Sequence, residues 1–526
     1  MIPGGRTFMK KRLIRNKKVR HATVAAVLTA MVILVAVLSN VVLTSVIERY
    51  ELYTPLTPTM AFDVTEDCYT VLESNFEANR QADGTLPKVQ IWFCNLEDAT
   101  KAEGSENYYL YYTANALAER FDNIELKYHD IYLNPEPVKS YTISKHPLTG
   151  EDIVTPLTSS SVIVVCGDYH RVYNWTDFYV FADDESTTPW AYSGERKLSS
   201  ALMHAIDDDP RIACMLTNHG EASYDYELLT ILDDAGYTVV YIDLYRDPIP
   251  ENCDVIISYN PNTDLVSDDL SQISEKEILD AFLAEDGNSF FVFLEKGTPN
   301  MPNFESYMQE WGIETKYDTN TTTNVSYRYT VQDASGSLTS DGYTIYGYPA
   351  LGDLNRFVDA SNEYVVFGNS TALSVTGEGY IAQQDGTYVS TGGNRTIYPL
   401  YRSSANALHW ANGQVVDGGS CILMSLTEQK NATGSSYVGV ISSVDFGTRT
   451  YLQSAVYDNG DVLLTLFEEI GGRTAPTGLT IKPFASYDIS TITTAQMLRW
   501  TIALSVIPAA LVLAVAVVVL IKRRRA

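Results

Sequence analysis

A histidine and a glutamate two positions apart, at the abrupt end of an apolar run, are the residues of this chain best placed to move a proton or hold a polar ligand. The run covers residues 212–217 and stops at Asn218-His219-Gly220-Glu221. An imidazole titrates near neutral pH, and a carboxylate can orient it or accept its proton. Asn260 and Asn262 close a second apolar run in YNPNTD, and Glu295-Lys296 close a third. Asn218, His219, Glu221, Asn260 and Lys296 could therefore converge on one crevice and line a polar ligand pocket. The same residues also suit a tight turn, in which Gly220 supplies backbone freedom while His219 and Glu221 hydrogen-bond to hold it. No nucleophile accompanies the pair, so no catalytic residue is assigned.

The elements that must position these residues are legible in the periodicity. Residues 212–217, 239–244, 254–260 and 288–295 read as strands, rich in β-branched, aromatic and other apolar residues. Between the first two, Tyr224, Leu228, Ile231, Leu232 and Ala235 recur at helical spacing, and Gly236 closes that helix. Ser274-x-x-Glu277 is a capping box that opens a helix through Leu283, and a further helix covers 304–311. Strands alternating with helices imply a parallel sheet with crossovers, in which ligands sit beyond the carboxyl ends of the strands. The Asn218–Glu221 turn lies at that edge, next to a helix N-terminus that favours anions.

Upstream, 88–94 and 162–166 read as strands, 108–121 as a helix and 124–129 as an alternating strand. This pattern suggests a small α/β module of thioredoxin-like shape within 47–194, and a helix over 195–206 leads into the next module, 195–318. From 319 to 484 Thr, Ser, Tyr, Gly and Asn dominate and helical periodicity fades, which predicts a β-rich or mixed region. Within it, 437–444 and 462–467 read as a strand and a helix that return to an α/β core.

Several chemistries are unsupported by motif. The chain has no G-x-x-x-x-G-K-[ST], no G-x-G-x-x-G after a strand, no H-E-x-x-H and no G-x-[SC]-x-G elbow. No cofactor and no metal are expected. The six cysteines, at 68, 94, 166, 214, 253 and 421, form no C-x-x-C, and Cys214 lies inside a strand rather than beyond it. Asp207-Asp208-Asp209 reads as a solvated charge run, and Tyr108, Tyr109, Tyr111 and Tyr112 read as packing rather than as a glycan or peptide grip. Asn-x-Ser/Thr triplets begin at Asn174, Asn320, Asn324, Asn369, Asn394 and Asn431.

The net charge of -28 hides an asymmetry. Eight Lys or Arg and no acid lie in residues 1–46, and four more basic residues lie in 522–526, so 25 basic residues face all 65 acids in between. So acidic a middle argues against nucleic acid and suits cationic partners or divalent ions. Residues 22–46 carry no charge and 500–521 form a second apolar stretch, each long enough for the ~20 residues that span a bilayer. Basic clusters flank them on the outside, which predicts a two-pass cell-membrane protein with both termini cytoplasmic (tails 1–21 and 522–526), membrane lipid around both spans, a stalk at 485–499 and a large extracytoplasmic body.

In order along nearly the whole chain, several stretches resemble the GldG-type auxiliary proteins of ABC transport systems, a family first named for gliding motility. They are Phe62-Asp63-Val64-Thr65 with Tyr69-Thr70-Val71, Lys197-Leu198-Ser199-Ser200-Ala201-Leu202, Thr217-Asn218-His219-Gly220-Glu221, Gly312-Ile313 after Trp311, Ser443-Val444-Asp445-Phe446, and Asn459-Gly460-Asp461. The last apolar stretch with its arginine run also fits. The family often has Gly where Asn218 stands. The resemblance implies an accessory subunit that works with a separate ABC permease and ATPase. It also implies that 195–318 is a flavodoxin-like or class I glutamine-amidotransferase-like parallel-sheet domain lacking the cysteine nucleophile.

The expected fold class is thus α/β: two transmembrane helices flanking an ectodomain built from a thioredoxin-like module, that parallel-sheet domain and a β-rich C-terminal region. The expected function is a non-enzymatic, membrane-anchored extracytoplasmic auxiliary subunit of an ABC-type transport system. The alternatives are an extracytoplasmic hydrolase acting on cell-wall glycan or peptide through His219 and Glu221, and a ligand-binding sensor or adhesion module.

Overall fold

The computed structural model describes residues 63–484, apart from 184, 208–210, 269–272, 352–355, 360, 361, 363 and 378, together with 499 and 521. All belong to one compact unit, Ala61–Ala526.

The chain first builds a small sheet. Helix α1 (Glu66–Ala78) is followed by β1 (Val89–Phe93), α2 (Tyr108–Arg120), β2 (Ile124–Tyr128), β3 (Val162–Cys166) and β4 (Tyr169–Tyr173). The strand order is β2-β1-β3-β4, with β1 and β2 parallel and the other pairs antiparallel. Thr65 starts α1 by accepting the Cys68 N–H at 3.3 Å, which satisfies one of the orphan donors at a helix start. Leu72 and Phe76 of α1 pack with Leu110 and Leu117 of α2 and with Leu198 and Leu202 of α3 (Gly194–Ile206). Glu195, in the first turn of α3, draws the ends of the described chain together. It accepts from the Thr65 backbone N–H at 2.7 Å and pairs with Lys482.

The second, larger sheet has 13 strands among the described residues. It begins with β5 (Arg211–Leu216), α4 (Tyr226–Asp234), β6 (Tyr237–Ile242), β7 (Cys253–Tyr259), α5 (Glu275–Leu283), β8 (Ser289–Phe293) and α6 (Pro302–Glu310). Side chains of β5 alternate between two cores. Ala213 and Met215 enter one with Leu228 and Ile231 of α4, while Ile212, Cys214 and Leu216 enter the other with Leu279 of α5 and Phe304 of α6. A strand apolar on both faces needs helices on both, which is why the run 212–217 shows no polar alternation.

The sheet does not end at β8. Later strands β9 (Thr344–Pro349), β10 (Val365–Gly368), β11 (Arg395–Arg402), β12 (Ile422–Lys430) and β13 (Ser435–Ile441) extend it, before α7 (Asn459–Gly471) packs back onto the core. The order along its main path is β6-β5-β7-β8-β13-β12-β11-β9-β10. Pairs from β6 to β13 are parallel, and those from β13 onward are antiparallel. All five residues of β8 are buried, so this strand cannot be an edge. Its outer neighbour comes from some 140 residues downstream, with Phe291 opposite Gly439. A Cβ on Gly439 would lie 2.2 Å from the Phe291 ring, so the close approach requires glycine.

Two expectations are corrected here. The first is the fold class, with its self-contained flavodoxin-like or glutamine-amidotransferase-like parallel-sheet domain beside a β-rich region. The chain is instead mixed α/β with one large mixed sheet, because the parallel strands and the later antiparallel ones share a single hydrogen-bonded ladder. The second is the two-pass cell-membrane placement. Among the described residues no helix is long and apolar enough to cross a membrane. The longest helices whose bounds are described run 13 residues. That is about 20 Å, against roughly 30 Å of hydrocarbon. The stretches 22–46 and 500–520, with both basic tails and nearly all of the stalk, lie outside the described residues.

Candidate functional site

His219 follows the end of β5 in a turn that Gly220 shapes with a φ of 65°. The His219 carbonyl accepts the backbone N–H groups of Asn262 and Thr263, each at 2.8 Å, which ties the turn to the segment after β7. His219 is 2% exposed. Its Nε2 lies 2.9 Å from Oε2 of Glu275, the first residue of α5. Its Nδ1 lies 3.4 Å from Glu221 Oε1, close enough for charge attraction but off hydrogen-bonding alignment. The second Glu221 oxygen accepts the His219 backbone N–H at 2.9 Å.

Glu275 is fully buried and saturated. It accepts from Asn218 Nδ2 at 2.7 Å, from the Val266 N–H at 2.6 Å and from His219. Burial by itself pushes the His219 pKa down; the contacts with Glu221 and Glu275 outweigh it and raise the pKa to about 9. For Glu275 burial acts upward, and the bonds from His219 and Val266 win, holding the carboxyl below its ordinary range. The raised pKa keeps the imidazole protonated at neutral pH. An imidazolium has no free lone pair, so it cannot act as a general base.

The structure thus brings Asn218, His219 and Glu221 together and adds Glu275, which the sequence reading missed. A signal for it existed: Ser274 accepts the Glu277 N–H at 3.3 Å and starts α5 there, so an acid at the next position falls in the first turn, where anions are favoured. Asn260 joins a neighbouring network instead. It has a φ of 50°, donates to Glu295 Oε1 at 3.1 Å and accepts from the Thr298 hydroxyl at 2.6 Å. Lys296 belongs to a third group: its Nζ donates to Asn369 Oδ1 at 2.6 Å and sits 5.3 Å from the Tyr343 ring centre. Asn262 is exposed at the turn.

Four of the buried thiols have raised pKa values. Burial pushes Cys68 and Cys94 up to about 12 and Cys421 up to about 11, and the Cys253 thiol is also raised, by its contact with Cys214 and by burial. Among the described residues no group of three or more His, Cys, Asp or Glu is arranged to hold a metal ion.

A cavity that no sequence motif announced opens between the small sheet and helix α4, with a volume of about 480 Å³. Arg171 and Tyr173 of β4, the loop through Trp175 and Asp177, and Tyr226 of α4 contribute to its walls. Arg171 and Lys197 both pair with Asp233 at its base, and Lys197 reaches Asp234 at 2.9 Å.

No protein-family model matches the chain, and no curated protein matches it. Among solved structures, 48% of the chain is similar to the exo-β-1,4-mannosidase Op5Man5 from Opitutaceae bacterium strain TAV5, at 12% sequence identity and a TM-score of 0.20. The similarity covers 35% of the mannosidase chain, about a third of its length. At that TM-score the likeness carries no argument about fold or activity.

Proposed function

We propose that this chain is a non-enzymatic auxiliary subunit of an ABC-type transport system, working by binding beside a separate permease and a separate ATPase. One observation carries the non-enzymatic half. The residue pair with the best claim to chemistry, His219 and Glu221, is committed to a closed ion cluster with Glu275 that buries the imidazole and keeps it protonated. A hydrolase that used His219 as its general base would need an exposed, neutral imidazole. The partnership half rests on the ordered motifs that resemble GldG-type proteins, from Asp63-Val64-Thr65 to Asn459-Gly460-Asp461.

The test is affinity purification of the tagged chain from its own host under mild detergent, followed by mass spectrometry. Co-purification of a multi-spanning permease with a nucleotide-binding ATPase is the expected result. Recovery of the chain without either subunit would overturn the reading. A hydrolase activity on glycan or peptide that His219→Gln abolishes in a folded protein would also overturn it.

A further inference from the structure

The cavity between the small sheet and helix α4 combines features the His219 cluster lacks: volume, an open mouth and aromatic walls. At about 480 Å³ it falls in the range of roughly 300–1,000 Å³ typical of small-molecule sites. Trp175, Phe181 and Tyr226 line it, and Tyr226 is 66% exposed although an aromatic ring gains by burial. Trp175 meets Tyr179 and Phe181 edge-on, with ring centres 5.6 and 5.9 Å apart, so the rings of this wall hold one another in place.

The charges of the lining are unequal. Four carboxylates (Asp177, Asp183, Glu227 and Asp233) face three cations (Arg171, Lys197 and Arg449). Each cation is already engaged. Arg171 and Lys197 share Asp233, and Arg449 Nε donates to Glu227 Oε1 at 2.7 Å. The second Glu227 oxygen is buried without a hydrogen-bond partner. Asp177 takes the Asn174 N–H at 2.9 Å, and burial raises its carboxyl above the usual range, so a positive charge nearby would relieve it. The unmet demand of this lining is therefore for hydrogen-bond donors and positive charge, beside ring faces that attract cations. A neutral polyol would meet only the first need, and an anion would meet neither.

We propose that the cavity lined by Trp175, Asp177, Tyr226 and Glu227 is a binding site for a small organic cation, an ammonium or guanidinium group carried on an apolar body. This goes beyond the transport-subunit reading and does not depend on a partner, since the full chain alone forms the whole site. The excess of acid over the body of the chain would raise the local concentration of such a ligand.

The experiment is calorimetric titration of the purified full-length protein with three matched probes: phenethylammonium, phenethyl alcohol and phenylacetate. We expect the cation to bind, with an affinity at least about tenfold above either of the others, and Tyr226→Ala to weaken it about fivefold. Asp177→Asn should also weaken it, with the melting temperature of each variant recorded. Tyr226 is largely exposed, so its removal leaves the core intact. Equal binding of the three probes, no binding of the cation at millimolar concentration, or cation binding unchanged in Tyr226→Ala would each overturn the proposal.

Discussion

His219 Nε2 lies 2.9 Å from Glu275 Oε2, so the turn after β5 is clamped to the first residue of a helix that begins 56 positions later. Glu275 is fully buried and His219 nearly so, and neither could sit there alone. Removing one partner of such a pair leaves an uncompensated buried charge.

His219→Gln should therefore destabilise the fold by about 3–5 kcal/mol. The pH dependence has a definite sign. The folded-state pKa of His219 is raised from 6.5 to about 9, so its contribution is fully present below 6.5 and is lost as the pH rises through 9. Glu275 is lowered from 4.5, so its contribution is present above 4.5 and is lost as the pH falls through its folded value. Urea denaturation of the native protein should show the cluster's full contribution between pH 4.5 and 6.5 and a decline toward pH 9. The decline toward pH 9 should be weaker in His219→Gln.

Gly439→Val tests the continuity of the large sheet. Its added Cβ would meet the Phe291 ring, and overpacking of this kind costs about 1–3 kcal/mol. The variant should lose stability by that amount or more, read as a lower midpoint in urea. Gly413→Ala serves as the contrast: its Cβ would meet nothing within 4 Å, so any cost there reflects only its φ of 74°.

Much of this fold was legible in the chain. The strands at 89–93, 162–166 and 253–259 and the helix at 108–120 fall within a residue or two of where alternation and helical spacing place them. What escaped is long-range. Nothing local in 435–441 says that it pairs parallel to 289–293, because an apolar strand looks the same beside any neighbour. The site shows the same division. Asn218, His219 and Glu221 could be read from one turn, but it is the path of the chain that brings Glu275 beside them, and the cavity is assembled from segments that include 171–183 and 226–233.

Arg328 should not tolerate lysine. It is 3% exposed, and its guanidinium donates to the Thr298 carbonyl at 2.8 Å, to Thr315 Oγ1 at 2.6 Å and to the Pro299 carbonyl at 3.0 Å, while pairing with Glu305. The planar fork meets all four at once, and a single ammonium cannot. Arg328→Lys should cost about 1–3 kcal/mol in chemical denaturation, the range for buried acceptors left unmet.

The cysteines should differ sharply in reactivity. Cys68, Cys94, Cys214, Cys253 and Cys421 are buried, and only Cys166 is half-exposed. Iodoacetamide at neutral pH should label Cys166 first in the native protein, and the other five together only after denaturant is added. Rapid native labelling of Cys68 or Cys421, read by peptide mass spectrometry, would contradict the burial that raises their thiols.

The protonation state of His219 decides most directly whether the cluster is a clamp or a proton-transfer site. Protein carrying isotope-labelled histidine can be titrated by NMR, with His219→Gln identifying the resonance. We predict an imidazole that stays protonated through neutral pH and releases its proton near 9. Release at or below the ordinary value of 6.5 would mean a neutral, available base, and the structural role assigned to His219 would be wrong.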